Sequence, residues 1–275
     1  MPINHLSKSQ ITLYLDCSLK YRFQYIDELP KPYKSSGLAF GTSIHSALEW
    51  LHKERLKGHP VSFERLTKIL EADWYSQKAD AQIEYKNGES WEMLLLKGKE
   101  ILNLYLSEPV KKIMAAEYPF EVPLINPETG EMLPVPIQGI MDLIEEDDTI
   151  GEFKTGAKSM DMASLLNNLQ LTVYAYAYQR LFKKEAKSLK IINIIKNKNP
   201  KMEILETSRG QKDFTRLFYL AREVLTGIRS NIFFPRFSFL CSDCEYAPHC
   251  RDWHGNKYPT NLRKRLNNCF LFLVK

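Results

Sequence analysis

The sequence contains no long run of apolar residues. No window of it approaches the roughly 18 consecutive apolar residues that indicate a membrane-spanning helix. The first residues, MPINHLSKSQ, lack the basic block and the apolar stretch of a secretion signal. We therefore expect a cytoplasmic protein that has no association with a membrane.

Several sequence patterns are also missing. There is no internal repeat, no low-complexity segment and no G-x-x-x-x-G-K-[ST] motif, which excludes a P-loop motor within this chain. The charge excess is small, because 38 Lys and Arg residues face 33 Asp and Glu residues. A net charge of +5 is compatible with a nucleic-acid partner without indicating one. The length of 275 residues allows one large domain or two small ones.

Cysteine is scarce, and most of it lies near the C-terminus, at Cys17, Cys241, Cys244, Cys250 and Cys269. A structural disulfide is disfavoured in the cytosol, so the Cys-x2-Cys-x5-Cys pattern indicates a metal centre. Its three thiolates leave one ligand position open, for which Cys17 is the candidate. Four thiolates suit a [4Fe–4S] cluster or a tetrahedral zinc ion, and His249 or His254 could replace Cys17 at zinc. Cys269 lies in an apolar tail, CFLFLV, and we expect it to be buried.

Residues 139–156, GIMDLIEEDDTIGEFKTG, predict two short strands joined by a tight acidic turn. Side chains alternate across a strand, so Glu152 and Lys154 share one face while Phe153 lies on the other. Folding back at the turn brings Asp142 beside them. Two carboxylates and one ammonium group then converge on a sheet that is otherwise apolar.

That convergence suits metal-assisted hydrolysis of a phosphodiester. Mg²⁺ is often held by one or two carboxylates, together with waters and substrate phosphate. A neighbouring lysine can orient the attacking water or neutralise the transition state. The alternative is an ordinary hairpin with a surface Asp and a Glu–Lys pair, because E-x-K is a common sequence.

The periodicity of apolar residues predicts a chain of mixed helices and strands. The predicted helices cover 6–26 (with a break at Cys17), 41–56, 62–82, 90–115, 160–184 and 211–230. The predicted strands cover 116–124, 133–146, 149–155, 189–195 and 201–206. The helical region at about 57–115 is interpreted as an insertion, and no chemistry is assigned to it.

Asp142 followed by Glu152-Phe153-Lys154-Thr155-Gly156 resembles the metal motif of PD-(D/E)XK nucleases, in the form found in RecB-type nuclease domains. Met141 stands where that family has the proline of its name, which is not a ligand. The resemblance implies an α/β fold, with a restriction-endonuclease-like mixed sheet flanked by helices. It also implies that Asp142, Glu152 and the carbonyl of Phe153 hold Mg²⁺ or Mn²⁺ while Lys154 positions the attacking water.

Further residues match the family pattern. Phe40-Gly41 followed by His45 resembles the family's F-G-x-x-x-H-x-x-L-E, in which the histidine approaches the metal. Glu117 matches the carboxylate that precedes the aspartate strand, and Glu121 is a competing candidate. Gln170 and Tyr174 resemble the final Q-x-x-x-Y motif, in which the glutamine supports the active site and the tyrosine lies near the DNA backbone.

The distant Cys17 and the C-terminal cysteine cluster resemble the iron–sulfur nucleases related to AddB and to CRISPR-associated adaptation nucleases. This resemblance favours [4Fe–4S] over zinc, in a segment that joins both ends of the chain. We interpret residues 1–252 as one nuclease domain and 253–275 as a tail.

The function implied is a Mg²⁺- or Mn²⁺-dependent deoxyribonuclease. It would be an exonuclease on single-stranded or free DNA ends, in repair, recombination or phage DNA processing, with a helicase or recombination protein as a possible partner. Two alternatives stay open: an inactive DNA-binding subunit of a helicase–nuclease complex, and a zinc-stabilised RNA-processing nuclease.

Overall fold

The structure, a computed structural model, describes residues 3–86, 88–109 and 111–254. Cys269 and most of the predicted tail lie outside the described residues. The chain divides into two compact units. The first, here called the sheet unit, comprises Met1–Ile11 and Lys31–Glu223. The second, here called the cysteine unit, comprises Thr12–Pro30 and Val224–Lys275.

The strands lie in the sheet unit and are, in chain order, β1 (Leu6–Ser7), β2 (Lys34–Ser35), β3 (Ile83–Glu84), β4 (Ile113–Ile125), β5 (Met132–Glu145), β6 (Thr149–Gly156), β7 (Ser188–Ile195) and β8 (Lys201–Thr207). Six of them form a mixed sheet in the order β1-β5-β6-β7-β8, and β4 pairs along β5. The hairpins β4–β5, β5–β6 and β7–β8 are antiparallel, whereas β6 and β7 are parallel. The small strands β2 and β3 pair separately.

The helices are α1 (Lys8–Asp16), α2 (Ser18–Tyr21), α3 (Ser36–Leu56), α4 (Phe63–Asp80), α5 (Trp91–Ser107), α6 (Met162–Leu166), α7 (Leu169–Phe182), α8 (Gln211–Arg229) and α9 (Ala247–Arg251). Serine caps begin three of the long ones: the side chains of Ser35, Ser62 and Ser90 each accept a backbone N–H from the first turn. None of the described helices is long and apolar enough to cross a membrane.

The sheet has helices packed on both faces. On one face, α3, α4 and α5 bury a core that includes Leu143 and Phe153 from the hairpin. On the other face, α7 supplies buried tyrosines, among them Tyr174 and Tyr178. Helices α6 and α7 form the crossover that parallel strands require. The predicted fold class, a mixed sheet flanked by helices, is confirmed.

Several element boundaries differ from the sequence prediction: β1 occupies Leu6–Ser7, where the sequence predicts a helix, and α3 begins at Ser36 instead of residue 41. The helix predicted over 90–115 ends at Ser107, and a strand begins at Ile113. Lys111 to Ala116 have good helical propensity, but pairing with β5 outweighs it. The helix predicted over 160–184 is two helices, because Asn168 caps the second: its side chain accepts the N–H of Leu171 at 3.1 Å.

Candidate active site

The hairpin of β5 and β6 places Asp142 next to Glu152. The strands pair at Leu143 with Gly151 and at Ile144 with Ile150. Beyond the Leu143–Gly151 pair, the side chain of Asp142 bonds β6 in place of a backbone carbonyl: its Oδ2 accepts the N–H of Phe153 at 2.9 Å. The aspartate is therefore fixed by the strand that carries the E-x-K sequence.

Glu117 approaches the same place from β4, on the opposite side of β5. The ladder joins Ala116 to Leu143 and Tyr118 to Met141, so Glu117 lies across from Asp142. Its φ of 50° is in the left-handed region, which costs a non-glycine residue about 1–3 kcal/mol. Strain of this kind persists where the surrounding structure requires it, and here it accompanies a carboxylate aimed at Asp142.

His45 completes a cluster of potential ligands. Ligand atoms of His45, Glu117 and Asp142 all lie within 4.8 Å of one another. His45 Nδ1 is 3.6 Å from Asp142 Oδ2, and the imidazole lies edge-on to the Phe153 ring with centroids 6.0 Å apart. Burial lowers the pKa of His45, partly offset by the charge of Glu152. The neutral imidazole keeps a lone pair that can bind a cation.

Glu152 and Lys154 extend from β6 on the same face. Lys154 Nζ donates a hydrogen bond to Glu152 Oε1. The other oxygen, Oε2, is buried and has no hydrogen-bond partner among the described residues. A buried carboxylate oxygen without a donor is costly, and a cation beside it would remove that cost. These residues fit a divalent metal ion held by oxygen and nitrogen ligands.

Tyr174 supports the cluster from α7. Its side chain is 1% exposed, and its hydroxyl donates to Asp142 Oδ1 at 3.2 Å. Burial raises the pKa of Tyr174 well above its usual range, with Glu152 and Asp142 adding to the shift and a hydrogen bond with Gln170 opposing it. The tyrosine is thus a neutral donor that orients Asp142, and its hydroxyl is turned away from solvent.

The pKa values of the carboxylates follow from their crowding. Burial, then the charge of Glu152, raises the pKa of Asp142 well above its usual range. Burial raises the pKa of Glu117 to about 7, and Glu49 and Glu152 contribute while Lys53 opposes. Carboxyl groups that repel each other in this way gain most from a shared divalent cation.

The cysteine unit brings its four described cysteines together. Cys17 lies between α1 and α2 in extended backbone and, with Cys244 and Cys250, packs against the core of Leu19, Phe23 and Tyr246. Burial raises the pKa of the Cys250 thiol, and the charges of Cys17, Cys244 and Cys241 raise it further. All four thiols are free, and no three of these described sulfur atoms lie within 4.8 Å of one another.

Comparison with known proteins identifies the family. The model of the PD-(D/E)XK nuclease superfamily matches residues 5–251. The chain belongs to this superfamily. No functionally curated protein matches it.

Among solved structures, the fold is similar to that of a protein described as a “putative exonuclease” from Eubacterium rectale. The TM-score is 0.60 at 13% identity, over 95% of this chain and 92% of that one. The structure of SSO0001 is also 13% identical, over 88% of this chain and 93% of that one, with a TM-score of 0.37 that carries no argument.

PD-(D/E)XK nucleases use divalent metals, and in this chain Asp142 and Glu152 lie on the β5–β6 hairpin with Glu117 on the adjacent strand β4. The structure brings together His45, Glu117, Asp142, Glu152, Lys154, Gln170 and Tyr174. It leaves Glu121 apart, on exposed β4 surface and hydrogen-bonded to Gln138. The backbone of Phe153 contributes its N–H to Asp142, while its ring is buried in the core.

Residues to which the sequence assigned no chemistry lie behind the site. The rings of His52 and Tyr105 are 5.9 Å and 5.6 Å from that of Phe153. His52 Nε2 is 2.8 Å from the Tyr105 hydroxyl. Their contact joins α3 to α5 across 53 residues, and no local pattern could have indicated it.

Proposed function

We propose that this nuclease is a Mg²⁺- or Mn²⁺-dependent deoxyribonuclease, and specifically an exonuclease that acts on single-stranded or free DNA ends. The observation that carries the metal dependence is the cluster of His45, Glu117 and Asp142, beside the buried oxygen of Glu152 that has no donor. The exonuclease mode is supported by the name of the Eubacterium rectale protein, and DNA as the substrate by the resemblance of residues 142–156 to the RecB-type nuclease motif.

In this proposal Asp142 and Glu152 hold the cation, and Glu117 and His45 complete its ligands. A bound divalent ion supplies a nucleophilic hydroxide at neutral pH and offsets charge on the phosphate. Tyr174 and the N–H of Phe153 keep Asp142 oriented. Lys154, whose side chain is 35% exposed, can leave Glu152 to hold the attacking water or the phosphate oxygen.

End-labelled DNA tests the proposal. Single-stranded DNA, duplex DNA and RNA of one sequence are incubated with the protein and Mn²⁺, and product lengths are followed in time. We expect degradation of DNA from its ends. In Lys154→Ala we expect the cleavage rate to fall by about 100-fold or more. Lys201→Ala is the matched control, because Lys201 forms a similar lysine–glutamate pair with Glu203 two residues away on β8.

Other outcomes would replace the proposal. Fragments of internal length would indicate an endonuclease. DNA binding without cleavage in both Mn²⁺ and Mg²⁺ would favour an inactive subunit that works with a helicase–nuclease partner. Preference for RNA, together with zinc in the purified protein, would favour an RNA-processing nuclease.

We further propose that Cys17, Cys241, Cys244 and Cys250 bind a [4Fe–4S] cluster. The mutual charge effect among these thiols supports a shared centre. In a tetrahedral zinc site, Zn–S bonds of about 2.3 Å put neighbouring sulfur atoms about 3.8 Å apart. The resemblance of these four cysteines to those of the iron–sulfur nucleases favours the cluster over such a zinc site.

Metal and sulfide content distinguish a [4Fe–4S] cluster from a single zinc ion. Protein purified without oxygen is analysed for iron, zinc and acid-labile sulfide, and its visible absorption is recorded. Four irons and four sulfides per chain are expected. One zinc without sulfide would contradict the cluster, and His249, whose ring is 6.0 Å from that of Phe23, would then be examined as a ligand.

A further inference from the structure

A cavity of about 200 Å³ lies on the α3 and α5 face of the sheet, away from the acidic cluster. Its apolar floor comes from the strands and includes Leu143, Ile192 and Ile204. Its charged lining consists of Arg55, Glu108, Lys111, Glu145 and Lys190. Such a combination of apolar floor and a few charged groups is typical of a small-molecule site, and the volume is below the usual range for large ligands.

The charges of this lining are not balanced. Lys190 and Glu145 neutralise each other: their side chains are 7% and 8% exposed, and Nζ lies 2.5 Å from the carboxylate. Arg55 is half-buried and has no ion-pair partner among the described residues. Lys111 and Glu108 are exposed at the mouth. The group that lacks a counter-ion in the interior is therefore the guanidinium.

The neighbouring His52 responds to this positive charge. Burial lowers the pKa of His52 to about 3, and the charges of Arg55 and Lys190 lower it further. His52 stays neutral and bonded to Tyr105, which fixes the cavity wall. Glu145 is paired with Lys190 and Glu108 is exposed, so the half-buried guanidinium forms no ion pair among the described residues. It gains from an anionic ligand, and its planar set of N–H donors matches phosphate oxygens.

We propose that this cavity binds the phosphate group of a small phosphate monoester, with Arg55 as the main contact and Lys111 at the mouth. The choice of a mononucleotide as the natural source rests on the proposed function, because an exonuclease releases mononucleotides. The preference for phosphate does not rest on it.

The cavity is separate from the acidic cluster of His45, Glu117 and Asp142. The Phe153 ring stands between them, with its centroid 6.0 Å from that of His45 on one side and 5.9 Å from that of His52 on the other. Binding can therefore be measured in the absence of divalent metal, when the acidic cluster offers no metal ion to an anion.

Calorimetry on the full chain in EDTA provides the test, with inorganic phosphate, thymidine monophosphate and acetate as ligands. We expect phosphate and the nucleotide to bind and acetate to bind at least tenfold more weakly. Arg55→Gln should weaken phosphate binding at least tenfold. Two control variants should leave phosphate binding unchanged. Arg216→Gln removes an exposed arginine from α8, and Asp142→Asn changes the acidic cluster.

A second variant, Lys111→Gln, tests the proposal even if Arg55→Gln fails to fold, because Lys111 is exposed and its replacement should not affect folding. Lys111→Gln should also weaken phosphate binding. Tighter binding of the nucleotide than of phosphate would place the base on the apolar floor and support the nucleotide source. No binding at millimolar ligand, equal binding by acetate, or binding that Arg55→Gln leaves intact would overturn the proposal. Phosphate binding in a protein that fails to cleave DNA would refute only the proposed function.

Discussion

Asp142 has a partner at each of its two carboxylate oxygens. One carboxylate oxygen accepts the Phe153 N–H and lies near His45, and the other accepts the Tyr174 hydroxyl. A hydrogen bond to a charged group contributes about 1.5–3 kcal/mol, which is enough to fix the orientation of a carboxylate that binds a metal. The orientation of Asp142 thus depends on a residue from another element.

Tyr174→Phe is expected to weaken Mn²⁺ binding and lower nuclease activity about tenfold, because Asp142 loses one of its donors. The aromatic ring stays, so the melting temperature should change little. Metal titration and cleavage rates measure the effect. Tyr178→Phe is the matched control on the same helix, since its hydroxyl donates to Asp148 in the hairpin turn. Equal losses in both variants would show that α7 packing, not Asp142, is responsible.

The raised carboxyl pKa values predict how stability depends on pH. The folded protein holds a proton on Asp142 and Glu117 more tightly than the unfolded chain, whose carboxyl pKa is about 4. Between that value and the folded pKa, which is about 7 for Glu117, the contribution of these two carboxyl groups to stability therefore falls as pH rises. The lowered pKa values of His45 and His52 act in the opposite direction below about pH 6.5, so the carboxyl contribution is measured as the difference in melting temperature between metal-free wild type and Asp142→Asn across this window.

Metal binding should show the opposite dependence, because a divalent cation displaces the protons. Mn²⁺ affinity is expected to rise as pH passes the pKa of Glu117, and Mn²⁺ should restore the melting temperature lost at high pH. Calorimetry and melting curves in the presence and absence of Mn²⁺ measure both effects. Asp142→Asn should flatten the pH dependence of the metal-free protein. An unchanged slope in that variant would contradict the assignment.

At the scale of elements, the β4–β5 hairpin has one close approach that only glycine allows. Gly139 pairs with Phe120, and a Cβ on Gly139 would lie 2.5 Å from the tip of that ring. Phe120 in turn packs edge-on against Tyr174, with centroids 6.3 Å apart. The glycine therefore lets a core ring lie across the strand and reach the helix that supports the site.

Gly139→Ala should cost about 1–3 kcal/mol of unfolding free energy, because the added methyl group displaces the Phe120 ring. Urea unfolding measures it. Gly210→Ala is the control: a Cβ there meets nothing within 4 Å, and the change should stay within about 0.5 kcal/mol. A neutral Gly139→Ala would mean that the ring can move at little cost.

The limits of sequence prediction also appear at this scale. Alternation and turn residues located β5, β6, β7 and β8 to within about two residues, because hairpins are local. The same locality placed Asp142, Glu152 and Lys154 at one hairpin. The strand start at Ile113 and the cavity around Arg55 depend on partners far along the chain, and no local pattern contains that information.

At the scale of the whole molecule, the superfamily match covers residues 5–251 and so includes parts of both units. The acidic cluster lies in the sheet unit, whereas the four described cysteines lie in the cysteine unit. The cysteine unit is assembled from two segments far apart in sequence. Ser18 and Leu19 hydrogen-bond Phe234, and Lys20 pairs with Glu245 at 2.7 Å.

Cys17→Ala is expected to lose iron and lower the melting temperature, because a cluster that ties residue 17 to the C-terminal cysteines closes a very long loop and restricts the unfolded chain. Iron content and thermal unfolding, both recorded without oxygen, measure the effect. Cys269→Ala, outside the described residues, is the control for removing a thiol and should keep its iron. If Cys17→Ala keeps full iron and melts like the wild type, Cys17 is not a ligand. The direct contacts between the two segments, among them Ser18–Phe234, Lys20–Glu245 and the core of Leu19, Phe23 and Tyr246, would then hold them together.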